Sequence, residues 1–74
     1  MMESIRKMYG VPAKRGMRVF YTHNQRYGTI KAASGGYLKI QLEGDKWTGN
    51  YHPTWKLEYL NSDGEVIYSS EKHM

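Results

Sequence analysis

The stretch GGYLKIQLEGDKW, residues 35–47, decides the fold of this chain. Leu38, Ile40 and Leu42 alternate with polar residues, which is the pattern of a β-strand with one buried face. Glycine-containing turns flank the strand on both sides, and such turns join antiparallel neighbours. The stretch therefore predicts the middle strand of an antiparallel meander.

The turn before this strand sets its register with the preceding strand, residues 28–32. Apolar residues must face apolar residues across the pair, because a slip of one residue exchanges the two faces of a strand. A two-residue turn at 35–36 would set Lys31 against Ile40, so we expect a three-residue turn at 34–36. The apolar pairs that this turn predicts are Ile30 with Ile40 and Ala32 with Leu38.

Two further turns extend the meander. A two-residue turn at 44–45 places Glu43 across from Lys46 as a favourable ion pair. In the first hairpin we expect a two-residue turn at 24–25. The pairs that these two turns predict are Leu42 with Trp47, Ile40 with Gly49, Leu38 with Tyr51, Val19 with Ile30, and Tyr21 with Gly28.

The N-terminal segment reads as a helix. Ile5, Met8 and Tyr9 share helical spacing, and Gly10 follows directly, which predicts a short helix that ends there. A helix this short must pack its apolar edge on the rest of the protein, because it does not persist alone. We therefore expect the apolar edge of this helix to be packed on the rest of the protein.

The C-terminal third adds two more elements. Residues 53–55 predict a single helical turn that leads into a strand at 56–60. Asp63-Gly64 is a strong hairpin signal and predicts an extra C-terminal hairpin strand at 65–68. The last six residues, 69–74, are expected to form a flexible tail.

These elements predict a mostly β fold. We expect a five-stranded antiparallel barrel with a short N-terminal helix, a one-turn helix before the last barrel strand, and an extra C-terminal hairpin strand. The corresponding divisions of the chain are the helix at 1–10, the barrel domain at 11–68 and the tail at 69–74.

The composition limits the chain to one small domain. Its 74 residues can enclose one modest core, and the absence of cysteine excludes disulfides and thiolate metal sites. No apolar run approaches the ~20 residues of a membrane-spanning helix, and no signal peptide is recognisable. We therefore expect a cytoplasmic protein.

Neither a metal site nor a catalytic centre is predicted. His23, His52 and His73 are scattered over a turn, a strand end and the tail, whereas zinc needs three or four converging ligands. The serines lie in turns or in the tail, with no base nearby in sequence. We expect no cofactor and no enzymatic activity.

The predicted registers place cations side by side on the outer, solvent-facing side of the sheet. Arg18 falls beside Lys31, Lys31 beside Lys39, and Lys39 beside Asn50. No carboxylate lies within the strands on that side, and neighbouring like charges destabilise a sheet. With a formal net charge of +4, this row predicts a nucleic-acid partner, DNA or RNA. The predicted binding residues are Arg18, Arg26, Tyr27, Lys31, Tyr37, Lys39, Asn50 and His52.

Short glycine and leucine motifs resemble those of SH3-like small barrels, over about residues 14–60. The first hairpin resembles a KOW-type motif, which has a glycine after the first loop, as Gly28 is here. The resemblance implies contacts with RNA or protein, because ribosomal proteins and transcription elongation factors carry this motif. The matching segments are Gly16-x-x-Val19, Gly28-x-Ile30, the strand at 38–42, Tyr51 with the short turn after it, and Leu57-x-x-Leu60.

Two further likenesses bear on function. The Gly-Met-Arg-Val segment at 16–19 and the Tyr-His-Pro-Thr-Trp segment at 51–55 resemble short uncharacterised proteins of phages and bacteria. That resemblance implies no activity. One SH3-like family, the plasmid-borne type II dihydrofolate reductase, is an enzyme with a Val-Gln-Ile-Tyr strand, of which only Tyr51 matches here. Reductase activity is therefore not expected.

Three functions are compatible with these features. The favoured one is a nucleic-acid-binding module that uses the predicted cation row. The second is a protein-interaction adaptor that uses aromatic residues at 51–55, which requires Trp47, Tyr51 and Trp55 to be exposed. The third is a structural component of a phage or mobile element that self-associates through the strand at 66–68. The sequence leaves the oligomeric state open, with a monomer favoured.

Overall fold

A computed structural model describes residues 2–70 and confirms a mostly β chain with a short N-terminal helix. The six strands of this part of the chain form one antiparallel sheet in the order β4-β3-β2-β1-β5-β6. The elements are α1 (Met2–Tyr9), β1 (Arg18–Tyr21), β2 (Arg26–Ser34), β3 (Tyr37–Leu42), β4 (Gly49–Tyr51), β5 (Leu57–Leu60) and β6 (Val66–Ser69).

The sheet is open, so these strands do not form a closed barrel. Closure would require the two end strands of the meander to pair with each other. In the first five strands, these end strands are β4 and β5. Strand β4 has only three residues, and the edge of β5 that could pair with it is occupied by β6. The predicted C-terminal hairpin strand is thus present, and it is the sixth strand of the sheet.

Helix α1 packs its apolar edge on the rest of the protein, as predicted. Ile5 is buried and Tyr9 packs against the core, whereas Met8 is 66% exposed. Gly10 has a φ of +67° and donates its N–H to the Arg6 carbonyl at 2.9 Å, which ends the helix. The Arg6 guanidinium donates to the Ala13 carbonyl at 2.8 Å and fixes the segment that follows.

The β2–β3 hairpin has a two-residue turn, not the predicted three-residue turn. Gly35 and Gly36 have φ values of +59° and +84°, the positive values that a type I′ turn requires. Ile30 faces Ile40 as predicted, but a bulge at Lys31 shifts the register beyond that pair. The resulting pairs are Ala32 with Lys39, Ala33 with Leu38 and Ser34 with Tyr37.

The β1–β2 hairpin also differs from its prediction. Its connection spans residues 22–25 rather than two residues, and Gln25 adopts a φ of +57°. Val19 therefore faces Gly28 and Tyr21 faces Arg26, a shift of two residues that keeps each side chain on its predicted side of the sheet. A Cβ atom at Gly28 would lie 2.9 Å from the Gln41 carbonyl oxygen, so only glycine fits there.

The β3–β4 register is confirmed for Leu38 with Tyr51 and for Ile40 with Gly49. The predicted pair of Leu42 with Trp47 does not form, because β3 ends at Leu42 and β4 begins only at Gly49. Residues 43–48 form a loop that does not pair with β3, and Trp47 in this loop is 81% exposed.

The segment before β5 is a turn and not the predicted single helical turn. The Trp55 N–H donates to the His52 carbonyl at 3.1 Å, and Lys56 follows with a φ of +54°. Below this turn, the buried Tyr59 hydroxyl donates to the Pro53 carbonyl at 2.6 Å. That bond fixes the turn to the core.

The core lies between the inner side of the sheet, α1 and the segment after α1. Its buried residues are Ile5, Val11, Ala13, Val19, Tyr21, Ile30, Leu38, Ile40, Leu42, Leu57 and Tyr59.

The described structure includes the first two residues of the predicted tail. Ser69 belongs to β6, and the Ser70 hydroxyl accepts the Leu57 N–H at 2.9 Å. The rest of the predicted tail, 71–74, lies outside the described residues, and with it His73.

Candidate functional site

The predicted row of cations does not form. Arg18 faces Thr29 across the β1–β2 pair, because that hairpin has a longer connection than predicted. Lys31 is the extra residue of the bulge, so Ala32 rather than Lys31 faces Lys39. One predicted neighbour is confirmed, since the Lys39 Nζ donates to Asn50 Oδ1 at 3.0 Å.

Carboxylates reach the outer side of the sheet from the loop at 43–48. Glu43 forms an ion pair with Arg18 at 2.5 Å, rather than with Lys46. Asp45 forms an ion pair with Arg26 at 2.8 Å, and Arg26 also donates to the Glu43 carbonyl. The expectation of cations without acidic neighbours is therefore wrong, because the loop folds back over the strands.

The predicted binding residues are spread along β2. Arg18, Arg26 and Tyr27 form a group at its start, whereas Tyr37 and His52 form a group at its end, where Tyr37 faces Ser34. The predicted residues between the two groups are Lys31, Lys39 and Asn50. Tyr27 and Ser34 are seven positions apart in the strand, about 23 Å at ~3.3 Å per residue, so the two groups are separate.

The group at the end of β2 is built around His52. Its ring meets the Tyr9 ring at 4.8 Å and the Tyr37 ring at 6.1 Å, both edge to face. His52 Nδ1 lies 3.0 Å from the Thr54 hydroxyl and 3.2 Å from the Thr54 backbone nitrogen. His52 thus holds the turn after β4 against α1.

The group at the start of β2 opens into a groove of ≈ 870 Å³ that the sequence did not predict. We call it the Tyr27 groove. Its lining comes from the segment before β1, from Tyr27, and from the β5–β6 hairpin. The lining residues used below are Lys14, Arg15, Met17, Arg18, Tyr27 and Ile67.

Tyr27 and Arg18 form one side of the Tyr27 groove, and Phe20 packs against Tyr27. The Phe20 and Tyr27 rings face each other across the β1–β2 pair with centroids 4.7 Å apart. The Arg18 guanidinium lies over the Tyr27 ring, 5.9 Å from its centroid. Tyr27 nevertheless remains 46% exposed, so part of its ring is open to a ligand.

Backbone hydrogen bonds hold the basic rim of the groove. The Gly16 N–H donates to the Ile30 carbonyl at 2.8 Å, and the Ile30 N–H donates to the Met17 carbonyl at 2.9 Å. Lys14 and Arg15 are exposed, and their side chains have no ion pair or hydrogen bond with any other residue of the range 2–70. A basic pair directly before a glycine is the sequence signal that could have indicated them.

The β5–β6 loop on the other side of the groove is equally fixed. Asn61 Oδ1 accepts the N–H groups of Asp63 and Glu65, each at 2.9 Å, and Asn61 Nδ2 donates to Glu65 Oε1 at 3.0 Å. Ile67 follows in β6 and is 49% exposed. Asp63 is the carboxylate among the lining residues.

A second aromatic cluster lies where the β1–β2 connection meets the turn before β5. Tyr21 contacts Tyr51 at 5.0 Å and Trp55 at 6.1 Å, and His23 contacts Trp55 at 5.9 Å. Burial, with a further contribution from Tyr21, raises the pKa of Tyr51 above its usual value. Trp55 is 49% exposed, so the cluster reaches the surface.

Two hydrogen bonds hold this second cluster together. The Thr22 N–H and hydroxyl both donate to the Lys56 carbonyl, at 2.9 and 3.2 Å. The Lys56 ammonium lies over the Trp55 ring, 5.4 Å from its centroid. The cluster is thus a fixed aromatic surface with its own cation.

Residues 2–70 contain no group of three or more His, Asp or Glu side chains that could hold a metal ion. The helix in this range is too short and too polar to cross a membrane.

Comparisons with known proteins add no family to this description. No protein-family model matches the chain, and neither the curated proteins nor the solved structures contain a significant match.

Proposed function

We propose that this protein is a small non-catalytic module that binds nucleic acid through the Tyr27 groove. The observation that carries the proposal is the pairing of unneutralised cations with an exposed aromatic ring in one groove. Lys14 and Arg15 lie at the rim, and Tyr27 and Arg18 line the same space. Cations that contact phosphates and rings that contact bases are the two parts of a nucleic-acid surface.

The charge of the groove favours an anionic ligand. Three cations, Lys14, Arg15 and Arg18, line it together with one carboxylate, Asp63. Arg18 is already paired with Glu43, so Lys14 and Arg15 are the residues most available to phosphates. The proposed phosphate contacts therefore move from the predicted Lys31 and Lys39 to these two residues.

A relationship to SH3-like and KOW-type domains is also proposed. The supporting feature is Gly28, which follows the first loop and is buried where no side chain fits. Such a glycine is what the KOW resemblance implies. KOW-type domains contact RNA or protein, so this relationship is consistent with a nucleic-acid partner. The residues of the groove support the proposed function without it.

A titration with a labelled oligonucleotide tests the proposal. If two phosphates of a single strand are neutralised, affinity should fall about sevenfold between 50 and 200 mM salt. The double variant Lys14→Glu/Arg15→Glu should weaken binding more than tenfold at 50 mM salt.

The matched control is Lys7→Glu/Lys46→Glu, which changes the net charge equally at two exposed residues outside the groove lining. The control should bind nearly as well as the wild type. Absence of wild-type binding at 50 mM salt, or equal losses in both double variants, would contradict the proposal.

Protein interaction is the second candidate, and the exposure of Trp47 and Trp55 favours it. A fixed aromatic cluster at the surface is typical of sites that contact proteins. Binding of this kind should depend weakly on salt and should be lost in Trp55→Ala. The Lys14→Glu/Arg15→Glu variant would retain it, which separates the two candidates.

A further inference from the structure

We infer that the Tyr27 groove binds single-stranded nucleic acid, with an unpaired base stacked against the Tyr27 ring. This inference rests on the proposed function, since it specifies which form of nucleic acid the same groove accepts.

The Tyr27 ring is held ready for such a contact. Phe20 supports it across the strand pair at 4.7 Å, and Tyr27 and Phe20 are directly opposite in the register. Because the ring is already ordered, little side-chain entropy is lost when a base stacks on it. Its 46% exposure leaves room for that base.

The rest of the groove suits the flat, apolar faces of a base. Met17, Leu60 and Ile67 line it together with Tyr27, and Ile67 is half-exposed on the β6 side. A base placed here would lie among apolar and aromatic side chains. The bases of a duplex are stacked and paired, so a duplex base can enter the groove only at the free-energy cost of unstacking and unpairing it.

The cations add the contact to the backbone. Lys14 and Arg15 lie at the rim of the same groove, where the phosphates that flank the bound base would be. The Arg18 guanidinium, over the Tyr27 ring, offers a second planar surface for stacking. Cations alone would bind a duplex at least as well as a single strand, so the ring is what makes the difference.

The test compares three labelled ligands at one salt concentration: a single-stranded 12-mer, its duplex, and a single strand with abasic sites. The wild type should bind the normal single strand about fivefold or more tightly than the abasic strand, and more tightly than the duplex. Tyr27→Ala should lose about tenfold in affinity for the normal single strand and little for the other two ligands.

Two variants serve as controls. Tyr27→Trp keeps an aromatic ring and should retain the preference for the single strand. Tyr37→Ala removes a tyrosine of similar exposure, 48%, from β3, where it faces the other end of β2, and should change nothing. Circular dichroism of each variant verifies the fold, and Tyr27→Trp keeps the inference testable if Tyr27→Ala unfolds.

The outcomes separate the inference from the proposed function. Equal affinity for all three ligands, with loss on Lys14→Glu/Arg15→Glu, would overturn the single-strand inference and support the proposed function. A preference for the single strand that persists in Tyr27→Ala would also overturn the inference. Absence of binding to every ligand would overturn the proposed function itself.

Discussion

The inner and outer sides of strand β2 are specified by different parts of the chain. On the inner side, Ile30 faces Ile40, and both side chains are fully buried. On the outer side, Tyr27 and its neighbours owe their surroundings to loops, since residues 43–48 supply the carboxylates that meet Arg18 and Arg26. The comparison shows that alternation within strands fixes the core, whereas loop paths fix the charge of the surface.

The largest expected difference between the two sides is in stability. Ile30→Ala should lower the free energy of unfolding by about 3 kcal/mol, because it leaves a cavity in a fully buried position. Thr29→Ala, one residue away on the outer side, removes only an exposed hydrogen bond from Arg18 and should change it by about 1 kcal/mol or less. Urea denaturation followed by circular dichroism measures both. Similar losses in the two variants would show that the outer side also contributes to the core.

A smaller difference is expected in the response to alkaline pH. Burial raises the pKa of Tyr59 far above its usual value of 10.0, so the folded protein keeps this proton where the unfolded chain releases it. The stability due to this group is therefore complete below pH 10 and decreases as the pH rises. Between pH 9 and 11 the loss should be about 1.4 kcal/mol.

Substitution by phenylalanine isolates this contribution. Tyr59→Phe should lose less stability than the wild type between pH 9 and 11, because it has no proton to release. The measurement is urea unfolding at both pH values, and identical slopes in the wild type and Tyr59→Phe would contradict the assignment.

The smallest effect is expected from the ion pair on the outer side. Glu43→Gln frees Arg18 for a phosphate, so affinity for a single-stranded oligonucleotide should rise about twofold at low salt. Glu3→Gln, the same change of charge on α1, should leave it nearly unchanged. A rise of the same size in both variants, measured by fluorescence titration, would indicate an effect of net charge alone.

The sequence predicts the strands better than the site. The alternation of Leu38, Ile40 and Leu42 leads directly to the middle strand and to the register with β4. The bulge at Lys31 is not predictable in the same way. In a regular ladder, a two-residue turn at Gly35-Gly36 would set Lys31 against Ile40, so the turn and the apolar pairing exclude each other. The bulge removes that conflict, because it leaves Lys31 unpaired and lets Ile30 face Ile40.

The candidate site depends on contacts that span the chain. Arg18 and Glu43 are 25 residues apart, and only the path of the loop at 43–48 brings them together. Likewise, Lys14, Tyr27 and Ile67 come from three segments that meet only in the folded sheet. The predicted registers indicated Arg18, and Tyr27 was among the predicted binding residues, but local patterns contain no information on which cations remain unpaired.

The bulge at Lys31 has a consequence for how this hairpin tolerates changes in length. The extra residue separates two correctly paired halves, Ile30 with Ile40 on one side and Ala33 with Leu38 on the other. Deletion of Lys31 would bring Ile30 next to Ala32 and join the two halves into one continuous ladder, with the two-residue turn unchanged. This hairpin is thus expected to tolerate the loss of that one residue while the turn and the core pairs stay the same.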